Sequence, residues 1–192
     1  TYICEFRLNF RDLNKTYDMR YISLLVIGIS SFFTYSQSDY ILSELDSLKG
    51  DYAKVAMRIW EYAEMGYQEE KSSALLQNIL KRAGFKIQAG VAGIPTAFVA
   101  EYNNEGPIIA ILGEYDALPG LSQKALPYKI TNGARGGHAC GHHLFGTASA
   151  AAAISLKKYI EKYKIKGTIR YYGCPAEEGG SGKVYMTRAG LF

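Results

Sequence analysis

The segment Ile108-Ile109-Ala110-Ile111-Leu112-Gly113-Glu114-Tyr115-Asp116 decides the fold. Five consecutive apolar residues between Pro107 and Gly113 read as a central strand buried on both faces. The chain then turns polar at once, through Gly113-Glu114-Tyr115-Asp116-Ala117-Leu118-Pro119-Gly120. Two carboxylates two residues apart at a strand end can both approach one cation. A solvated acidic turn is the plainer alternative. In open α/β sheets, ligands collect outside the carboxyl ends of the strands, so this loop is a first candidate for chemistry.

Outward from that strand, 97–102 and 167–173 read as further strands. Residues 38–49 and 51–65 read as helices, with Ser38 and Asp51 as N-caps. In the second, Val55, Ile59 and Tyr62 recur three to four apart and make one apolar face. A third helix spans 69–82, with Leu75, Leu76, Ile79 and Leu80 inward and Gly84 closing it. A long alanine-rich helix covers 141–163. Helices alternating with buried strands predict an α/β layered fold with a largely parallel sheet. There is no internal repeat and no low-complexity linker.

The 192 residues are 48% hydrophobic, 21% charged and 13% aromatic. Those proportions exclude a disordered tail, a collagen-like fibre and a multi-span membrane protein. The net charge of +4 comes without a clustered basic run, so nothing supports a nucleic-acid partner. Three cysteines are too few for a disulfide framework. Residues 19–37 begin Met-Arg, continue with an apolar core of about a dozen residues and end in small polar ones, the pattern of a secretory signal. The core is short for a bilayer span, which needs about 20 residues, so no stable membrane span is expected. Cleavage is expected after Ser36, with the mature protein secreted or periplasmic. A buried helix or a membrane anchor is the alternative. Residues 1–18 then read as a leader upstream of Met19, and 37–192 as the working domain.

Two more loops carry chemistry. Gly136-Gly137-His138-Ala139-Cys140-Gly141-His142-His143 holds all three histidines and one of the three cysteines. Imidazole and thiolate are preferred ligands of zinc and similar ions. The segment opens the long helix, whose N-terminal dipole favours a thiolate. The alternative is an anion-binding glycine loop with incidental histidines. Gly173-Cys174-Pro175-Ala176-Glu177-Glu178-Gly179-Gly180 follows the strand at 167–173. Adjacent glutamates resist joint ionisation without a cation. One can bind metal while the other takes a proton from activated water. A surface acidic turn is the alternative here. Cys140 and Cys174 could also form a disulfide in an oxidising compartment.

These motifs resemble the amidohydrolase branch of the aminoacylase and carboxypeptidase G superfamily of dinuclear metallopeptidases, most closely the aminobenzoyl-glutamate hydrolase type. The resemblance rests on Glu114 to Gln123, Gly137 to His142 and Pro175 to Gly180, and runs from about Asp39 to Phe192. It implies a zinc-peptidase-like three-layer α/β/α catalytic domain. It implies two divalent metal ions, with zinc first and manganese or cobalt as alternatives. It implies hydrolysis of an amide bond in an N-acyl or N-aroyl amino acid or dipeptide-like small molecule. By position, Cys140 matches the bridging ligand, His142 a terminal ligand, Glu178 a ligand and Glu177 the general base. Asp116 matches the aspartate that orients a ligand, while His138 reads as a loop-stabilising histidine.

Two residues depart from the family pattern. Glu114 stands where the wider superfamily often has histidine, and His143 where relatives carry Asp or Asn. The role of each is left open, and Glu114 is not counted as a ligand. The family pattern also calls for two further histidines and a lid and dimerisation domain beyond Phe192. The resemblance therefore implies the N-terminal part of a longer, homodimeric enzyme, with little activity in this stretch alone. A degenerate, non-catalytic metal-binding or assembly module is the alternative function.

Overall fold

The computed structural model describes the backbone of residues 19–103 and 105–192, and side chains from residue 39 onward except at 104. The expected leader at 1–18 lies outside the described residues, as do the side chains of the expected signal at 19–36. The chain divides into two units, Thr1–Tyr40 and Ile41–Phe192. In the first, residues 19–40 are helical. No helix among the described residues is long and apolar enough to cross a membrane.

The second unit carries the fold. Helix α1 (Met19–Tyr62) runs through Gly50 without a break, so the two separate helices expected at 38–49 and 51–65, with caps at Ser38 and Asp51, are corrected to one. A single exposed glycine costs a helix about 1 kcal/mol, too little to end it. Helix α2 is Glu70–Arg82. It ends in a paired cap: Gly84 N–H donates to Lys81 O at 3.0 Å and Phe85 N–H to Leu80 O at 3.1 Å. Gly84 has φ +91, a conformation that glycine adopts without Cβ strain. Phe85 and Leu80 then meet in the core.

The strands are β1 (Lys86–Ala89), β2 (Phe98–Tyr102), β3 (Ile108–Glu114), β4 (Leu118–Pro119), β5 (Gly136–Gly137) and β6 (Thr168–Cys174). Helix α3 is His142–Lys162, and two short helices, α4 (Glu177–Gly180) and α5 (Gly182–Arg188), follow β6. The main sheet has the order β1-β2-β6-β3. β1 and β2 pair antiparallel, β2 and β6 antiparallel, and β3 and β6 parallel. The expectation of a largely parallel sheet is corrected by two antiparallel pairs out of three. No strand is expected at β1 from sequence, because Lys86-Ile87-Gln88-Ala89 is almost wholly exposed and shows no apolar run.

The expectation of a central strand at 108–112 is corrected too. β3 lies at an edge of the sheet among the described residues, with Ile108 and Ile109 54% and 43% exposed. Side-chain alternation puts a core on each face of the sheet. On one face, Phe98 and Ala100 of β2 and Ile169 and Tyr171 of β6 pack with Ile59, Leu76, Leu80, Ala150 and Ile154 from α1, α2 and α3. On the other, Val99, Tyr172 and Cys174 pack with Val91, Ile94 and Met186. The result is the expected three-layer α/β/α arrangement. α3 approaches the end of β3 so closely that a Cβ on Gly146 would stand 2.3 Å from Glu114 O.

Candidate metal centre

The ends of β3 and β6 and the start of α3 converge on one side chain, His142, which is 5% exposed. Its Nδ1 lies 2.9 Å from Asp116 Oδ1 and 3.2 Å from Asp116 O. Both partners can only accept from it, so Nδ1 carries a proton and Nε2 is the ring atom turned toward the remaining carboxylates. Nε2 faces Glu114 Oε2 at 2.9 Å, Glu177 Oε2 at 3.7 Å and Glu178 Oε1 at 3.9 Å. Asp116 also ties in the third loop: its Oδ2 accepts the Glu178 N–H at 2.9 Å. Burial works to raise the Asp116 carboxyl. The hydrogen bonds from His142 and the Glu178 N–H outweigh that and hold it below its ordinary value.

Cys140, His142 and Glu178 offer one donor atom each within 4.8 Å of one another. Glu114, His142 and Glu177 form a second such group. The donor set fits a divalent cation. Glu178 Oε1 is buried without a hydrogen-bond partner. The Cys140 thiol is pushed above its ordinary value, first by its hydrogen bond to Glu178, then by burial and the surrounding carboxylates. A cation would reverse that by favouring the thiolate. Sulfur, imidazole and carboxylate together are a zinc-type set.

A profile of peptidase family M20/M25/M40 matches residues 110–192. One of the p-aminobenzoyl-glutamate hydrolase chains of Escherichia coli is 48% identical over 153 residues, which cover 77% of this chain and 32% of that protein. These matches make the chain similar to the M20 peptidases. Hippurate hydrolase of Campylobacter jejuni is 30% identical, over 79% of this chain and 38% of its own length. Among solved structures, an aminohydrolase of Staphylococcus aureus shares the fold, with a TM-score of 0.68 at 20% identity, over 80% of this chain and 39% of that one. The YXEP protein of Bacillus subtilis, a dinuclear metal-binding M20 peptidase, has a TM-score of 0.61 at 26% identity, over 76% and 40%. The chain spans about a third of the length of the curated relatives it matches.

The structure brings together every residue that the sequence singled out: Asp116, Cys140, His142, Glu177 and Glu178. It also adds to them. Glu114, left open by sequence, sits against His142 and pairs with Lys183 on α5. No sequence signal announces Lys183, because only the turn through α4 brings α5 back beside β3. His138 is buried, and its Nε2–H donates to Ile59 O at 3.0 Å, which pins the loop to α1. Burial, with His143 beside it, pushes the His138 pKa down to about 4, so the ring is neutral. The His143 ring packs on that of His138 at 5.1 Å. Cys140 and Cys174 are both free thiols, the first exposed and the second buried, so no disulfide joins them.

Proposed function

We propose that this chain carries part of the catalytic centre of a metal-dependent amidohydrolase that cleaves the amide bond of an N-acyl or N-aroyl amino acid or a dipeptide-like substrate. The observation that carries the reading is the convergence of Cys140, His142 and Glu178 beside the half-exposed carboxylate of Glu177. On this reading Cys140, His142 and Glu178 would hold divalent metal. Zinc suits the set best, and manganese or cobalt are alternatives. When bound, the metal supplies Lewis acidity that acidifies water and polarises the scissile carbonyl.

The chain's own residues do the rest. Asp116 holds the His142 Nδ1–H, which fixes the ring with Nε2 aimed at the site. Glu177, 44% exposed, has room to take the proton of the attacking water on its carboxylate and pass it to the leaving amine nitrogen. Lys183 neutralises Glu114 and limits the negative charge around the pair. The relatives, hydrolases of aminobenzoyl-glutamate and hippurate, support an acylated amino acid as the substrate class. Residues outside this stretch would complete the ligand set, and a homodimer rests on the family resemblance alone. The basic, apolar, then polar pattern of residues 19–36 supports a secretory signal and a secreted or periplasmic protein.

The test is titration of the purified chain with cobalt(II), followed by the thiolate-to-metal absorption band. The reading expects a band that is lost in Cys140→Ser and in His142→Ala. Absence of the band in the folded wild-type chain would overturn it. Metal binding without hydrolysis of N-acyl amino acids by the longer gene product would favour the non-catalytic module instead.

A further inference from the structure

Glu69 is fully buried, yet it takes no part in the metal cluster and the ion pairs of the described residues do not include it. Its carboxylate has two partners. Oε1 accepts the Ala176 N–H at 2.8 Å, and Oε2 accepts the Thr96 hydroxyl at 3.0 Å. Thr96 is itself a junction: its carbonyl accepts Ser73 Oγ–H at 2.8 Å and Tyr115 Oη–H at 2.6 Å. Tyr115 lies between Glu114 and Asp116, and Ala176 immediately precedes Glu177 and Glu178. One buried carboxylate therefore joins the loop after β3 to the loop after β6 from behind the site.

Ala176 is the sensitive point. It adopts φ +55, ψ +43, a left-handed conformation that alanine takes only when its surroundings impose it. Its N–H is held by Glu69, and its carbonyl accepts the Gly180 N–H at 3.0 Å. This turn carries the chain from β6 into α4 and presents Glu177 and Glu178 to His142. Relaxation of residue 176 to an extended conformation would swing both glutamates away. Burial pushes the Glu69 carboxyl above its ordinary value. In either protonation state one oxygen still accepts from Ala176, so glutamine can reproduce the contact.

We propose that Glu69 is a positioning residue: through the Ala176 N–H it holds the left-handed turn that sets Glu177 and Glu178 at the metal centre. This rests on the reading of that centre given above. Two measurements on the full 192-residue chain separate the two ideas. Amide hydrogen exchange at residues 176–180 needs no metal. Cobalt(II) affinity, read from the thiolate band, does. Glu69→Met keeps the volume and removes the acceptor. It should speed exchange at 176–180 at least tenfold, leave β2 and β6 protected, and weaken cobalt binding about tenfold. Glu69→Gln should stay within about threefold of wild type in both, a rescue that loss of general packing would not give.

If Glu69→Met does not fold, Thr96→Val removes one anchor of the carboxylate and keeps the Thr96 carbonyl junction. It should speed exchange at 176–180 about threefold. Unchanged exchange at 176–180 in these variants overturns the proposal, as does a Glu69→Gln chain that behaves like Glu69→Met. If wild type binds no cobalt, the metal reading falls, and the exchange measurement still decides the role of Glu69.

Discussion

The segments at the ends of β3 and β6 each bring two carboxylates to His142, and the structure treats Asp116 and Glu177 in opposite ways. Asp116, after β3, is shut away from solvent, with both oxygens engaged by His142 and the Glu178 N–H. Glu177, after β6, is 44% exposed and has no such anchors. A carboxylate with both oxygens hydrogen-bonded and shut away from solvent is suited to holding its neighbours in place. One with free lone pairs can take and release a proton. The strands below the loops differ in the reverse sense: β6 is buried along most of its length, while β3 shows Ile108 and Ile109 at an edge.

The largest effect should come from the freer carboxylate. Glu177→Gln in the enzyme that turns over N-acyl amino acids should lower kcat about 100- to 10,000-fold and leave metal affinity alone. Unchanged kcat would erase the distinction between the loops. The strands can be compared at Ile169 and Ile109, which face each other in register. Ile169→Ala on β6 should cost about 2–5 kcal/mol in denaturant unfolding, and Ile109→Ala on β3 under about 1 kcal/mol. Equal losses would mean that another surface covers β3 in solution.

Asp116→Asn should weaken metal binding about 10- to 100-fold, the usual cost of losing a partner that orients a ligand. Isothermal titration with zinc measures it, and an unchanged affinity would remove Asp116 from its holding role. The smallest effect concerns Cys174 at the end of β6, whose thiol burial pushes up to about 12. The unfolded thiol ionises near pH 8.5 and the folded one only near 12. The contribution of Cys174 is therefore complete below about pH 8.5 and declines as pH rises from there toward 12. Cys174→Ala should flatten that part of the stability profile, as read by thermal melts across alkaline pH.

Much of the site was legible because its signals are local. The spacing Cys140–His142 at a helix start and the adjacent pair Glu177–Glu178 after a strand are patterns in single short segments. The same holds for α2, whose apolar positions recur every three to four residues and whose closing Gly84 sits where its φ requires it. β1 was not legible, since its four residues carry no apolar pattern and pair with β2 only after folding. Nor was the importance of Glu69. In sequence it is one of two adjacent glutamates at a helix start, and it is buried only because Thr96 and Ala176 close over it from 27 and 107 residues away.

The sequence by itself determined the strands that become β3 and β6, the long helix α3 and which side chains carry metal-type chemistry. The reason is that periodicity and ligand chemistry are properties of short stretches. Tertiary structure alone decided that, among the described residues, β3 stands at an edge and two of the three pairs in the main sheet are antiparallel, and that Glu114 and Lys183 meet at the site with Glu69 behind it. Apolar content measures how much a strand gains by burial. Which neighbours provide that burial depends on contacts between segments far apart in the chain.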